Sequence, residues 1–392
     1  VGVSHPLPST HARLFALRET IDRIELFRFD VLVPRHFSFG TWHNRQHGVL
    51  RITSGGHTGF SEDMLSANEP DGDLNSQGRC FRDLGGLTIG EALRRSYAQE
   101  FSLPGSRREL AEIALVDLAG RVQGVPSLEL LGLKTSGAVH ATPTILTDQV
   151  EQLRQEAARH RDLGFHSHLK IKLFGRFELD LSLVQAARAV IGPAAYLSGD
   201  VNSGYGMLTA GEDPAALVWI LRQLHAAGLS GCEDPAQMPV PSWVEVQRQV
   251  AGLDLIPDVA LRPAADAVAS VVAGMGRKFN LHPGCTGSFL HALRLCERIR
   301  ELGARLVIGD NSLIGPACAF WQQLAIGYGA DWCEALEKPA ESARFLECIT
   351  HSPLSGGPGG RRELTGIAPG FGIQVDEARL RSQADRYTQI YP

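Results

Sequence analysis

Residues 168–173 read His168-Leu169-Lys170-Ile171-Lys172-Leu173. Apolar and polar residues alternate at period two, the pattern of a strand. Lys170 and Lys172 therefore share one face, and Leu169, Ile171 and Leu173 the other. Two ammonium groups on a mostly apolar strand are costly to bury unless something anionic faces them. Taken alone, the stretch reads more simply as a strand end with two solvated lysines, the usual fate of charged residues. The residues that follow reverse that preference.

On both sides of this stretch, from about Ala138 onward, short apolar segments alternate with amphipathic ones. Strands are expected at 138–144, 168–173, 196–202, 228–234, 253–259, 278–282, 305–311 and 331–336. Helices are expected between them, at Asp148–Asp162, Leu179–Ile191, Asp213–Ala227, Pro241–Val250, Pro263–Gly274, Ser288–Leu302 and Pro316–Gly329. Strands and helices in strict alternation predict an α/β fold, a parallel βα barrel. The competing open doubly wound sheet lacks its G-x-G-x-x-G turn.

Upstream the texture differs. Residues 21–33, 48–54 and 57–62 alternate like strands, with Gly55-Gly56 as a turn, and predict an antiparallel meander. Its connector holds Arg35, His36, Phe37, Phe39, Trp42 and His43, an unusual density of aromatic and cationic groups. Such a loop is either a substrate lid or a surface loop pinned by its aromatics. Helical spacing follows from about Thr88 to Gly124 and stops at Gly124-Val125-Pro126. The segment Pro369-Gly370-Phe371-Gly372 is expected to bring the tail back onto this first unit.

The chain of 392 residues carries a net charge of -5 and no basic stripe, which argues against nucleic acid as a partner. No apolar run is long enough to span a bilayer. Residues 1–8 show no signal-peptide core and read as a loose arm. The seven cysteines are scattered without CxxC spacing, so a reducing cytoplasm is the simplest setting.

In a βα barrel the reactive groups sit at the C-terminal ends of the strands. Those ends carry Lys170 and Lys172, then Asp200 with Asn202, Glu233, Asp258, His282, and Asp310 with Asn311. Three carboxylates from three successive strands would repel one another without a cation. An all-oxygen donor set favours a hard divalent ion, best Mg²⁺. The competing reading, that each acid caps the next helix, explains one of them more easily than all three.

These residues resemble the enolase superfamily, in its muconate-lactonizing-enzyme-like branch. The similarity runs through Glu112–Gly120 with Gly124-Val125-Pro126 and Leu130-Leu131-Gly132. It continues in Lys170-Ile171-Lys172, Asp200-Val201-Asn202, Glu233-Asp234-Pro235 and Pro369–Gly372. The resemblance implies a modified (β/α)7β barrel (138–351) under an α+β capping domain formed by both chain ends (20–137, completed by 352–392). It implies Asp200, Glu233 and Asp258 as Mg²⁺ ligands, supported by Asn202, Asp310 and Asn311. It implies Lys172 as the base that removes the proton α to a carboxylate, and Lys170 as its electrostatic partner. It also implies a small-molecule carboxylate substrate and a homo-oligomer.

The departures carry information too. Val259 stands where the family usually has a Glu, Asn311 where it has another, and His282 where this branch has a second lysine. Glu334-Ala335-Leu336-Glu337 lacks the paired aspartates of dipeptide epimerases, which argues against a dipeptide substrate. His282 is read as an acid/base or as a structural histidine. The expected activity is an isomerase: racemase, epimerase or cycloisomerase. A dehydratase or o-succinylbenzoate-synthase-like lyase shares the first half-reaction. A non-catalytic binding protein on the same barrel is the alternative of another class. Arg35, His36, Phe39, Trp42 and His43 are the candidates for selecting the substrate.

Overall fold

The structure, a computed structural model, describes residues 12–37, 39–69, 72–366 and 368–392. The arm at residues 1–8 lies outside them. The meander is present as β1 (Arg23–Val31), β4 (Arg45–Ser54) and β5 (His57–Ala67), with the connector folded into a small hairpin, β2 (Arg35–Phe37) and β3 (Gly40–Trp42). The C-terminal strand, Arg386–Tyr391, adds to the free edge of β1. Buried Glu25 holds it there, accepting from the Tyr387 hydroxyl at 2.7 Å and from Arg381 at 2.9 Å.

The helix Gly105–Gln123 lies across this sheet and is buried from Glu109 to Gly120. It ends on Gly124, whose left-handed backbone (φ 70°) only glycine adopts without strain. At Gly59 the helix backbone comes close to the sheet. A Cβ placed on Gly59 would stand 2.2 Å from the Ala114 carbonyl oxygen and 2.6 Å from the Leu118 nitrogen.

The barrel strands are β6 (Gly137–Ala141) with β7 (Thr144–Ile145), β8 (His168–Lys172), β9 (Tyr196–Asp200), β10 (Gly231–Glu233), β11 (Asp254–Ile256), β12 (Lys278–Leu281), β13 (Arg305–Ile308) and β14 (Trp332–Cys333). Neighbours pair in parallel from β7 to β11 and from β12 to β14. Asn280 N–H to the Pro257 carbonyl (3.0 Å) joins β11 to β12, and β14 pairs with β6, so the ring closes. Seven helices connect the strands among the described residues, each within a few residues of its expected span. Two prolines trim what periodicity had extended. Pro143 splits the first strand because it has no N–H to donate, and Pro257 ends β11. Asp258 therefore lies beyond its strand, at the entry to a short 3-10 turn, Val259–Leu261.

Buried carboxylates join the capping layer to the barrel. Glu109 accepts from Gly284 N–H (2.5 Å) and from Thr286 N–H and hydroxyl (3.2 and 2.6 Å). Glu112 accepts from Leu290 N–H and the Ser288 hydroxyl, and Glu62 from Ile314 and Gly315 N–H. Asp117 accepts from Phe60 and Phe371 N–H, tying sheet, helix and tail together. Charge-assisted bonds of this kind are the strong ones.

Because Gly59 meets helix backbone rather than a flexible side chain, Gly59→Ala is expected to lower stability by about 1–3 kcal/mol, the usual cost of overpacking. Urea unfolding, read as a drop in midpoint with an unchanged slope, checks it.

Candidate active site

The alternation of β8 turns Leu169 and Ile171 outward into the apolar layer and brings Lys170 and Lys172 into the barrel, 3% and 6% exposed. Parallel register sets Lys172 opposite Asp200, and Asp200 opposite Glu233, so the three share one level. Lys172 Nζ donates to Asp200 Oδ2 and to Asn202 Oδ1, both at 2.5 Å. Lys170 Nζ donates to Glu233 Oε2 at 2.8 Å and to Glu334 Oε2 at 2.7 Å, with Asp200 Oδ2 at 3.6 Å. Solvated lysines are thus excluded.

Burial opposes the Lys170 charge, but Glu233, Glu334 and Asp200 override it and hold its pKa well above the usual range. Lys170 is thus held in its ammonium form at neutral pH. Burial raises Glu233 well above the usual carboxylate range in spite of Lys170, because Asp200, Glu334 and Asp258 crowd it. Asp200 goes the other way: against its burial, Lys172 and Lys170 hold it below the usual range.

Asp258 is buried and its side chain is taken by Arg262, whose Nε reaches Oδ1 at 2.9 Å while a second nitrogen bonds Oδ2. Asp234, in a left-handed backbone (φ 39°), accepts the N–H groups of Asp258 (3.1 Å) and Val259 (2.9 Å) and so fixes where Asp258 leaves the strand. His282 Nδ1 lies 3.1 Å from the Pro283 carbonyl. A carbonyl only accepts, so Nδ1 carries the proton and Nε2 keeps a lone pair. Burial, with Arg262 and Lys170, pushes the His282 pKa down to about 4 against the pull of Asp258, so the ring is neutral at pH 7.

Above these groups lies a cavity of about 370 Å³. Lys170, Lys172, Asp200, Arg262, His282 and Glu334 line its barrel side, and Arg35, Phe37, Phe39 and Trp42 of the hairpin line its other side. Phe37 stacks on Phe39 (5.0 Å), packs on Trp42 (4.7 Å), and lies 5.4 Å from Lys172 Nζ. Arg35 reaches across to Glu341 at 2.6 Å. His36 and His43 are exposed and outside the cavity wall; His36 bonds Thr41 within the hairpin. Period-two geometry turns His36 away from Arg35 and Phe37. Asn202, Asp310 and Asn311 line the cavity, Asp310 paired with Lys338 (2.9 Å) and Asn311 3.4 Å from Asp63.

Two groups at this centre were not anticipated. Glu334 sits just past β14, as strand-end position allowed, but its pairing with Lys170 is a contact across the barrel. Arg262 carried one signal, an opposite charge four residues after Asp258.

The donor set fits a hard divalent cation. Asp200, Glu233, Asp258 and Glu334 outnumber Lys170, Lys172 and Arg262, all donors are oxygen, and the buried Glu233 Oε1 has no hydrogen-bond partner among the described residues. Among the described residues no three acids are drawn into one ligand cluster as arranged here; Asp258 is engaged by Arg262.

Fold and site together define a βα-barrel enzyme with a lysine–carboxylate centre at the C-terminal strand ends. The family model described as "Enolase C-terminal domain-like" matches residues 152–379. The chain belongs to this family. D-Ala-D/L-Ala epimerase of Cytophaga hutchinsonii is 23% identical over 298 residues, 74% of this chain and 79% of that one. 2-chloromuconate cycloisomerase of Rhodococcus opacus 1CP superposes with a TM-score of 0.76 at 20% identity, covering 94% of this chain and 100% of that one. The dipeptide epimerase of Cytophaga hutchinsonii complexed with Mg and D-Ala-L-Val superposes with a TM-score of 0.75 at 18% identity, covering 95% and 100%.

The loop that carries His282 hangs on Glu109. Burial, with Glu112 nearby, raises the Glu109 pKa to about 7 even though Thr286 and Gly284 bond it. The folded state thus holds this proton more tightly than the unfolded chain, whose Glu titrates near 4.5. Its contribution to stability is full below that value and is lost as pH rises through about 7. Glu109→Gln is expected to flatten this loss, measured as urea midpoints of both proteins at about pH 5 and about pH 7.5.

Proposed function

We propose that the protein removes the proton α to the carboxylate of a small molecule and returns a proton to the resulting enediolate. It is read as an isomerase of the racemase, epimerase or cycloisomerase kind. The observation that supports this best is the placement of the two lysines. Lys172 Nζ lies at the cavity, oriented by Asp200 and Asn202, while Lys170 is held as an ammonium beside it.

Each residue then has a task. Lys172 in its amine form takes the α proton onto Nζ. Asp200 and Asn202 keep that nitrogen aimed, and Asp200 stabilises the ammonium that results. The fixed charge of Lys170 favours the developing enediolate over the neutral substrate, the differential effect that lowers a barrier. His282 stands just past the end of β12, across the barrel from β8, with Nε2 available. It serves as the second acid/base, or shuttles the proton in a ring-forming step. Phe37, Phe39 and Trp42 keep water from the reacting carbon, and Arg35 with the lysines selects an anionic molecule with an apolar body. Mg²⁺, held by Asp200, Glu233 and Asp258, would neutralise the charge that builds on the carboxylate oxygens. The first unit, 20–137 with 352–392, acts as the substrate-selecting cap, and 138–351 as the catalytic barrel. The setting is the cytoplasm, in keeping with seven free cysteines, and the assembly a homo-oligomer. No helix among the described residues is long and apolar enough to cross a membrane.

A panel of carboxylates incubated in D2O tests this. Exchange at the α carbon without loss of water marks the isomerase, and keto-acid formation marks a lyase. Lys172→Ala is expected to reduce exchange by about 10²–10⁴-fold, the range of general acid–base catalysis. Chelation should silence the enzyme and Mg²⁺ restore it. Exchange that survives in Lys172→Ala would overturn the assignment of the base.

A further inference from the structure

The third carboxylate of the proposed metal centre is already engaged by a cation of the chain itself. Asp258 is 2% exposed, and Asp234 holds it where it leaves β11 by bonding its backbone N–H. The 3-10 turn Val259–Leu261 then brings Arg262 back over it. The guanidinium bonds both carboxylate oxygens, Nε to Oδ1 at 2.9 Å and a second nitrogen to Oδ2. This two-point contact uses the in-plane lone pairs that a hard cation would need. Val259, between the two, has no polar side chain to offer Arg262 another partner.

Exposure differs across the pair. The Arg262 side chain is 28% exposed and lines the cavity, whereas the Asp258 side chain beneath it is 2% exposed and forms no part of the cavity wall. Arg262 therefore has an open space to move into, while Asp258 has none. The Coulomb balance points the same way. A guanidinium bonded to Asp258 neutralises part of the charge that would attract a divalent ion, and repels that ion directly.

We propose that Arg262 is an internal competitor for the divalent cation at Asp258. Loading the site exchanges a guanidinium–carboxylate pair for a metal–carboxylate bond and moves Arg262 into the cavity. The ligand-free protein then binds the ion more weakly than its three carboxylates would allow. This rests on the proposed Mg²⁺ centre. The assignment concerns a positioning residue and not a group that touches the reacting atoms.

Mg²⁺ titration of the ligand-free full chain by calorimetry tests it, repeated with Mn²⁺ by electron paramagnetic resonance. Arg262→Met is expected to tighten the ion roughly tenfold, within the usual range of coupling between two sites. Arg262→Lys, which loses the two-point contact but keeps a charge, should fall between. It also gives a reading if Arg262→Met, with Asp258 left unpaired, does not fold. Asp258→Asn should weaken the ion by about tenfold in the Arg262→Met background and by much less in the wild type, the non-additivity expected of residues in contact. Equal or weaker binding in both Arg262 variants would overturn the competition and leave the metal centre standing. Absence of Mg²⁺ and Mn²⁺ binding in every variant and in the wild type would overturn the centre itself, and the competition with it.

Discussion

The Lys170 ammonium, buried between Glu233 and Glu334, is the interaction on which the barrel mouth depends. An isolated charge in that place would cost several kcal/mol. The acids around it would repel one another just as strongly without it. Each side makes the other tolerable, and removing either partner would leave an uncompensated buried charge. The balance remains tilted toward negative, which is why Glu233 is pushed up while Asp200, with two lysines beside it, is pushed down. A mouth of this kind attracts cations, whether an ion from solution or the Arg262 side chain.

The same economy of charge holds the capping layer in place. Glu62, Glu109, Glu112 and Asp117 are buried, yet among the described residues only Asp117 is bonded by an arginine or lysine; the other three take their hydrogen bonds from backbone N–H groups, hydroxyls and His47. A carboxylate in such a position fixes the loop that supplies the N–H groups. Glu109 thereby sets the backbone just after His282, and Glu62 the turn just after Asn311. The sheet and helix that roof the cavity thus also bond the strand-end loops forming its far wall. The hairpin at residues 35–42 is the more exposed part, with Phe39 63% exposed.

Much of this could be read along the chain. Alternation in β8 showed which face the lysines share, and the spacing of apolar segments gave the order of strands and helices. The positions of Asp200, Glu233, Asp258 and His282 followed from where apolar strands stop. Proline accounts for two of the errors of extent, at Pro143 and Pro257, because a missing N–H ends a ladder that side-chain periodicity continues. His36 and His43 stand outside the cavity wall for a different reason. Composition marks a loop as unusual but does not say which side chains turn inward.

The sequence by itself determined the barrel, the meander, the helix that covers it and the set of polar groups at the strand ends. These depend on local periodicity, which needs only neighbours in the chain. Tertiary structure alone decided who pairs with whom. Glu334 reaches Lys170 across 164 positions, and Glu109 reaches Gly284 across 175. Arg262 closes on Asp258 through the path of one short turn. Charges pair by distance in space and by burial, and neither is fixed until the barrel closes.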